Sequence, residues 1–435
     1  MDNNKKSFFK YEGVNYLLPF ILITSCFALW GFANDITNPM VKAFSKIFRM
    51  SVTQGALTQV AFYGGYFAMA LPAAIFIRRF SYKSGILMGL GLYAAGAFLF
   101  IAARSTGSYW PFLIAYFILT CGLSFLETSA NPYILAMGDP ATATRRLNFA
   151  QSFNPIGSLC GMFVAMNFIQ ARLNPMDSAA RATLSDAEFE AVRQSDLGIL
   201  IKPYVAIGIV IAVVFLLILL MKMPKVKEEN ARSIGASLRY LIGIPRYREG
   251  VLAQFFYVGV QIMCWTFIIQ YGTRIFMERG MSEIDAEVLS QKYNIAAMII
   301  FCCSRFICTY LMKYFKPGKM LYSFAIAGIL FTLGVIFLPG VAGLYCLVAV
   351  SACMSLMFPT IYGIALEGLG EDAKFGAAGL IMAILGGSVL PPLQAMIIDR
   401  GVVLGMPAVN ASFILPTICF VVIAVYGIRV NRKII

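Results

Sequence analysis

The sequence predicts an all-α membrane protein of twelve transmembrane helices, and three observations carry that prediction. Of its 435 residues, 60% are hydrophobic and only 13% are charged; a soluble domain is nearer half apolar and a quarter charged. The mean hydropathy is +0.77. The apolar runs are long and continuous, as in Ile207 to Met221 and Phe324 to Pro339, unlike the alternating ten-residue segments of a membrane barrel. A membrane helix needs roughly 20 mostly apolar residues, so this chain has room for about twelve with short loops.

We expect the spans near residues 15–39, 54–77, 85–103, 111–137, 147–170, 201–221, 250–275, 293–312, 320–338, 342–366, 376–398 and 409–428. Lys5, Lys6 and Lys10 precede a first apolar stretch long enough to span, and no small-x-small cleavage site follows. The first helix is therefore expected to remain uncleaved. With the N-terminus inside, 22 of the 35 Lys and Arg fall on the cytoplasmic side and 12 outside, while Arg305 stays within a helix. That asymmetry predicts cytoplasmic N- and C-termini. The first outer connection is the exception, with Lys42, Lys46 and Arg49. The net charge of +14 thus belongs to loops beside a lipid bilayer, and no nucleic-acid partner is expected.

The longest cytoplasmic connection, 222–249, divides the chain into six helices (1–221) and six more (250–435). Arg78-Arg79-Phe80-Ser81-Tyr82-Lys83-Ser84-Gly85 follows the second helix. Lys313-Tyr314-Phe315-Lys316-Pro317-Gly318-Lys319 follows the eighth, its counterpart. A basic, glycine-containing loop at matching places in two halves is the layout of the major facilitator fold, two six-helix bundles around a central cavity. The outer segment Asp177 to Asp196 is polar and acidic, and is expected to be a solvated loop or surface helix without chemistry. All ten Cys lie in apolar segments. Cys302, Cys303 and Cys308 come closest to a cluster, but their spacing fits neither a zinc site nor a disulfide framework. We expect soft apolar filler, no metal and no cofactor.

An ionisable group in hydrocarbon costs about 2.5–3.5 kcal/mol on the insertion scale and so needs a reason. Three sit well inside spans: Asp35 in helix 1, Glu127 in helix 4 and Arg305 in helix 8. Glu367 and Asp399 fall at helix ends. The chain has no His, so a protonation switch near neutral pH must use a carboxylate, whose charge burial disfavours. Polar residues accompany both acids at helical spacing: Asn34 and Asn38 around Asp35, and Asn131 one turn after Glu127. In helix 5, Asn148, Gln151 and Asn154 step by three, so that each set projects from one side of its helix. Amides and carboxylates suit sugar hydroxyls because they offer paired donors and acceptors. One such residue would more often be helix glue; clusters on three helices of one half favour a binding site. Helix 7 adds a stripe of Gln254, Tyr257, Gln261 and Trp265. There a sugar could stack its C–H face on a ring, or the aromatics could simply pack. Trp265 lies too deep for an interfacial belt. Gly64, Gly65, Gly85, Gly89, Gly91, Gly96, Gly386 and Gly387 are expected at close helix contacts. Pro132, Pro155, Pro359, Pro391 and Pro392 can weaken helices where backbone lines a cavity. Asn131-Pro132, Asn154-Pro155 and Phe358-Pro359-Thr360 are the ones expected there.

Five segments carry a family resemblance. Leu126-Glu127-Thr128-Ser129-Ala130-Asn131-Pro132-Tyr133 resembles the helix 4 motif of the fucose:proton symporter family, and Arg146-Leu147-Asn148-Phe149-Ala150-Gln151-Ser152-Phe153-Asn154 its helix 5 motif. Ala61-Phe62-Tyr63-Gly64-Gly65-Tyr66-Phe67, Ala253-Gln254-Phe255-Phe256-Tyr257-Val258-Gly259 and Phe358-Pro359-Thr360-Ile361 are similar too. The resemblance spans nearly the whole chain. It implies a sugar:proton symporter of the bacterial inner membrane, working as a monomer, with L-fucose the type substrate and other hexoses carried by relatives. It implies that Glu127 is linked to sugar and proton, and that Gln151 and Asn154 contact the sugar. Tyr362, directly after the last motif, joins the expected sugar contacts with Asn34, Asn38, Asn131, Tyr257, Gln261 and Trp265. The family's helix 1 acid falls where this chain has Asn38; Asp35, one turn earlier, is expected to take the proton role with Glu127. Rival readings are a sodium-coupled or uncoupled glucose/galactose carrier, a non-transporting sugar sensor, and a membrane enzyme. The enzyme would need a nucleophile, a metal set or a phosphate loop, and none is legible.

Overall fold

The computed structural model describes residues 10–11, 14–37, 40–50, 54, 57–176, 180–181, 183–223, 233–403 and 405–432. Asn38, expected among the sugar contacts, lies outside the described residues. Among those described, twelve helices are long and apolar enough to cross a membrane. They are α1 Leu17–Thr37, α2 Val60–Arg79, α3 Tyr82–Thr106, α4 Trp110–Ala136, α5 Pro140–Ile169, α6 Asp186–Leu220, α7 Pro245–Met277, α8 Val288–Leu311, α9 Pro317–Phe337, α10 Val341–Leu366, α11 Gly370–Ile398 and α12 Ala408–Asn431.

The twelve follow the expected order, and most begin earlier than their apolar runs. Polar caps explain this, because a cap satisfies the first N–H groups without being apolar. Ser81 accepts from the Ser84 N–H at the start of α3. Proline opens α7 and α9, where its missing N–H costs nothing. The largest difference is at α6. Ser185 and Glu188 form a capping box, and the helix runs unbroken from Asp186. Its first turns are the surface helix expected there, with Ser185, Asp186, Ala187 and Glu188 exposed; the departure is Asp196, which is buried and pairs with buried Arg181 at 2.6 Å. Within 222–249, residues Ile234–Gly243 form a short helix, and α7 begins at Pro245.

Four spans are interrupted; in α12, Ala408–Ala411 gives way to Ile414–Asn431. In α5, Ala143–Gln151 gives way to Asn154–Val164 and then to a π turn at Ala165–Ile169. In α10, Val341–Met354 gives way to Met357–Leu366. In α11, a 3-10 turn at Ala383–Leu385 precedes Gly386–Ile398. The breaks at Pro155 and Pro359 match expectation. Pro132, by contrast, lies inside an uninterrupted α4, and Pro391 and Pro392 lie inside the last segment of α11.

The described chain forms two compact units. The N-unit holds residues 10–137 and 153–223, and the C-unit holds 138–152 and 233–432. The break in α5 coincides with the change of unit. In each unit helix pairs meet backbone to backbone. In the N-unit α1 meets the second segment of α5: a Cβ at Gly157 would overlap the Ala28 carbonyl, and one at Gly31 the Asn154 carbonyl. In the C-unit α7 meets α11, where a Cβ at Gly386 would overlap the Phe255 carbonyl. Lipid gives helices no hydrophobic reason to associate, so such close packing supplies the attraction. Gly65, Gly85, Gly89 and Gly96 also sit at tight contacts, as expected; Gly64 has nothing within 4 Å and Gly91 touches only Phe215 at 3.9 Å.

Candidate functional site

In the N-unit the site begins with α4, the most enclosed of the spans. Glu127 is 2% exposed. Tyr66 on α2 interacts with it, yet among the described residues neither Glu127 Oε2 nor the buried Tyr66 hydroxyl meets a partner in hydrogen-bonding geometry. A buried polar atom in that condition needs an explanation. Asn131 Nδ2 donates to the Glu127 main-chain carbonyl at 3.0 Å, so one of its two donors is spent on its own helix. On α1, Asn34 and Asp35 are half-buried, and Tyr63 on α2 lies within electrostatic reach of Asp35. Two tyrosines one turn apart on α2 thus accompany the two acids.

The α1 backbone is tied from two neighbours. Asn154 Nδ2 donates to the Phe27 carbonyl at 3.2 Å, and the Ser158 hydroxyl to that of Gly31 at 3.3 Å. The Tyr93 hydroxyl donates to that of Leu29 at 3.0 Å.

In the C-unit the centre is Arg305 on α8, 3% exposed. Its Nη1 donates to the Gln151 main-chain carbonyl at 3.0 Å, and its Nε to that of Ser355 at 2.5 Å. The guanidinium lies over the Phe301 ring, 4.5 Å from its centroid, a favourable cation–π position. Phe301 also meets Trp265 edge to face, with centroids 4.9 Å apart. The Trp265 indole N–H donates to Ser351 Oγ at 3.2 Å. Tyr257 is fully buried beside Arg305, and its hydroxyl has no hydrogen-bond partner among the described residues. Its ring packs against Phe358 (6.0 Å), which stacks on Tyr362 (6.2 Å).

The expected α5 stripe is carried on two helical segments. The interruption after Gln151 splits it: Asn148 donates to Thr360 Oγ1 at 3.2 Å, the Gln151 carbonyl receives Arg305, and Asn154 belongs to the other unit. Asn148 is thereby helix glue between α5 and α10. On α7, Gln261 and Trp265 are half-buried. Gln254 is fully buried, and neither its Oε1 nor its Nε2 meets a hydrogen-bond partner among the described residues. Sequence reasoning gave no role to Tyr66 or Arg305. Tyr66 had a signal in the Ala61–Phe67 motif, and Arg305 in being the one cation deep within a span. Among the described residues no cluster of His, Cys, Asp and Glu could hold a metal.

The Major Facilitator Superfamily model matches residues 23–392. The chain is 58% identical to the L-fucose-proton symporter of Haemophilus influenzae, across 95% of this chain and 96% of that one. It is 34% identical to the L-fucose-proton symporter of Escherichia coli, across 95% and 93%. The crystal structure of an MFS transporter, FucP, in the outward conformation superposes with a TM-score of 0.86 at 33% identity, covering 95% of this chain and 99% of that one. The chain is a multi-pass membrane transporter and not an enzyme, and it belongs to the fucose:proton symporter family of the Major Facilitator Superfamily.

Proposed function

We propose that the protein imports L-fucose, or a hexose close to it, together with a proton by alternating access. The observation that carries the proton half is Glu127: a carboxyl 2% exposed, with an oxygen that has no hydrogen-bond partner among the described residues. A carboxylate in hydrocarbon is costly as an anion and far less so when protonated. An empty, ionised Glu127 therefore resists reorientation, and a protonated one with sugar bound permits it. Asp35, half-buried on α1 and nearer solvent, is the second proton-carrying group. A proton moving inward across about 100 mV supplies about 2.3 kcal/mol, before any pH gradient.

The sugar half rests on the relatives and on groups of the right chemistry. Asn34, Asn38, Glu127, Asn131, Gln151 and Asn154 supply donors and acceptors for hydroxyls. Tyr257, Trp265 and Tyr362 supply aromatic surface, and Gln261 a further amide. We read the protein as a monomer of the bacterial inner membrane, with halves 1–221 and 250–435 joined through 222–249 and both termini cytoplasmic. The Lys and Arg distribution supports that orientation, and a reporter at the C-terminus that behaved as external would overturn it.

Radiolabelled counterflow in proteoliposomes, with a panel of hexoses and 6-deoxyhexoses, tests the function. L-fucose should exchange fastest and compete with the others. Flux that follows sodium and ignores pH would replace the proton by sodium, and binding without flux would make the protein a sensor.

A further inference from the structure

Both main-chain carbonyls that receive Arg305 are ones a proline has released. In an α-helix the N–H of residue i bonds to the carbonyl of residue i−4. Pro155 stands four residues after Gln151, and Pro359 four after Ser355. Neither proline has an N–H to give. Each acceptor sits where its helix is interrupted, Gln151 closing the first segment of α5 and Ser355 following the first segment of α10. One guanidinium fills both vacancies, at 3.0 and 2.5 Å, from a third helix. All three helical parts belong to the C-unit. Carbonyls at the C-terminal ends of helical segments carry partial negative charge, which suits a cation that cannot shed its proton. The planar fork matters, because an ammonium is a point donor without the fixed geometry to serve two separate carbonyls.

We infer that Arg305 is a positioning residue for sugar binding: it fixes the interrupted end of α5 so that the Gln151 side chain is held at the geometry the sugar needs. The same guanidinium stands beside the Tyr257 hydroxyl and over Phe301, which packs on Trp265. Three expected sugar contacts, Gln151, Tyr257 and Trp265, are therefore referred to one buried cation. This inference rests on the reading of Gln151 as a sugar contact.

The test is a double-mutant cycle on the purified full-length protein, with L-fucose affinity read by calorimetry and folding by thermal unfolding. Arg305→Met should weaken binding about tenfold or more, the loss expected when hydrogen bonds that order a site are removed. In a Gln151→Ala background the same change should cost at least about threefold less, because the group held at the α5 end is gone while Tyr257 and Trp265 remain. Arg305→Lys keeps the charge and one of the two bonds and should fall between wild type and Arg305→Met. If Arg305→Met does not fold, Arg305→Lys is read through the same cycle. Equal fold-losses in both backgrounds would overturn the inference and leave Arg305 a structural cation. Wild-type affinity in Gln151→Ala alone would instead overturn the sugar-contact reading of Gln151, and the inference with it.

Discussion

Glu127 and Arg305 are buried to almost the same degree, 2% and 3% exposed, and the protein surrounds them in opposite ways. Arg305 is held in fixed geometry by two carbonyls and a ring. Glu127 has a neighbouring phenol and an oxygen with no hydrogen-bond partner among the described residues. The chemistry of the two groups explains the difference. A guanidinium stays charged in any protein environment, so burial is possible only with permanent partners. A carboxyl can neutralise itself instead, and permanent partners would hold it in one state. On the proposed coupling, the group that keeps its charge is given fixed partners, and the group that changes its charge is given one neighbouring phenol. Arg181 and Asp196 mark a third case, a buried ion pair in which each charge satisfies the other.

Five substitutions break or sharpen this comparison. The largest effect is expected at Glu127: Glu127→Gln should abolish pH-driven accumulation and weaken sugar binding as well, since Glu127 lies with Asn131 on the expected sugar face. Uptake under an imposed pH gradient, beside binding by calorimetry, checks both. Asp35→Asn should abolish accumulation but retain sugar exchange, because the amide imitates a permanently protonated acid and the loaded carrier can still reorient. Accumulation equal to wild type in Asp35→Asn would make Asp35 a structural acid.

Asp196→Asn should act on stability alone. Removing one member of a buried pair leaves the other charge uncompensated, at a cost of about 3–5 kcal/mol. Thermal unfolding of the purified protein should shift downward while the apparent affinity of folded protein stays unchanged. Smallest is the effect at the amides. Asn154→Ala or Gln151→Ala should each lose about 1–3 kcal/mol of sugar binding with little change in unfolding temperature. Wild-type affinity in both would reduce these amides to helix glue, the role Asn148 already has with Thr360.

Much of this was legible in the sequence. Hydropathy located all twelve spans, because twenty apolar residues have few other uses. It placed the start of α6 late, because Asp186, Glu188 and Asp196 read as surface. Asp196 is paid for by Arg181, fifteen residues earlier in the chain, and no local pattern reveals such a pairing. Asp35, Glu127 and Arg305 stood out as charges in apolar runs. Tyr66 did not, since tyrosine in a membrane helix is unremarkable until a carboxyl is placed beside it. The stripe of Asn148, Gln151 and Asn154 was drawn on one helix, while the break that carries it on two segments was legible in Pro155. Pro132 was given too much: α4 is packed on nearly every side, and neighbours can satisfy what one proline releases.

The central claim is that sugar and proton cross together, with Glu127 carrying the coupling. It is tested most directly by adding L-fucose to proteoliposomes in weak buffer, without an imposed gradient, and recording external pH. Wild type should alkalinise the medium as sugar enters, and Glu127→Gln should not. Sugar entry in wild type with no change in external pH, or alkalinisation that persists in Glu127→Gln, would contradict the account.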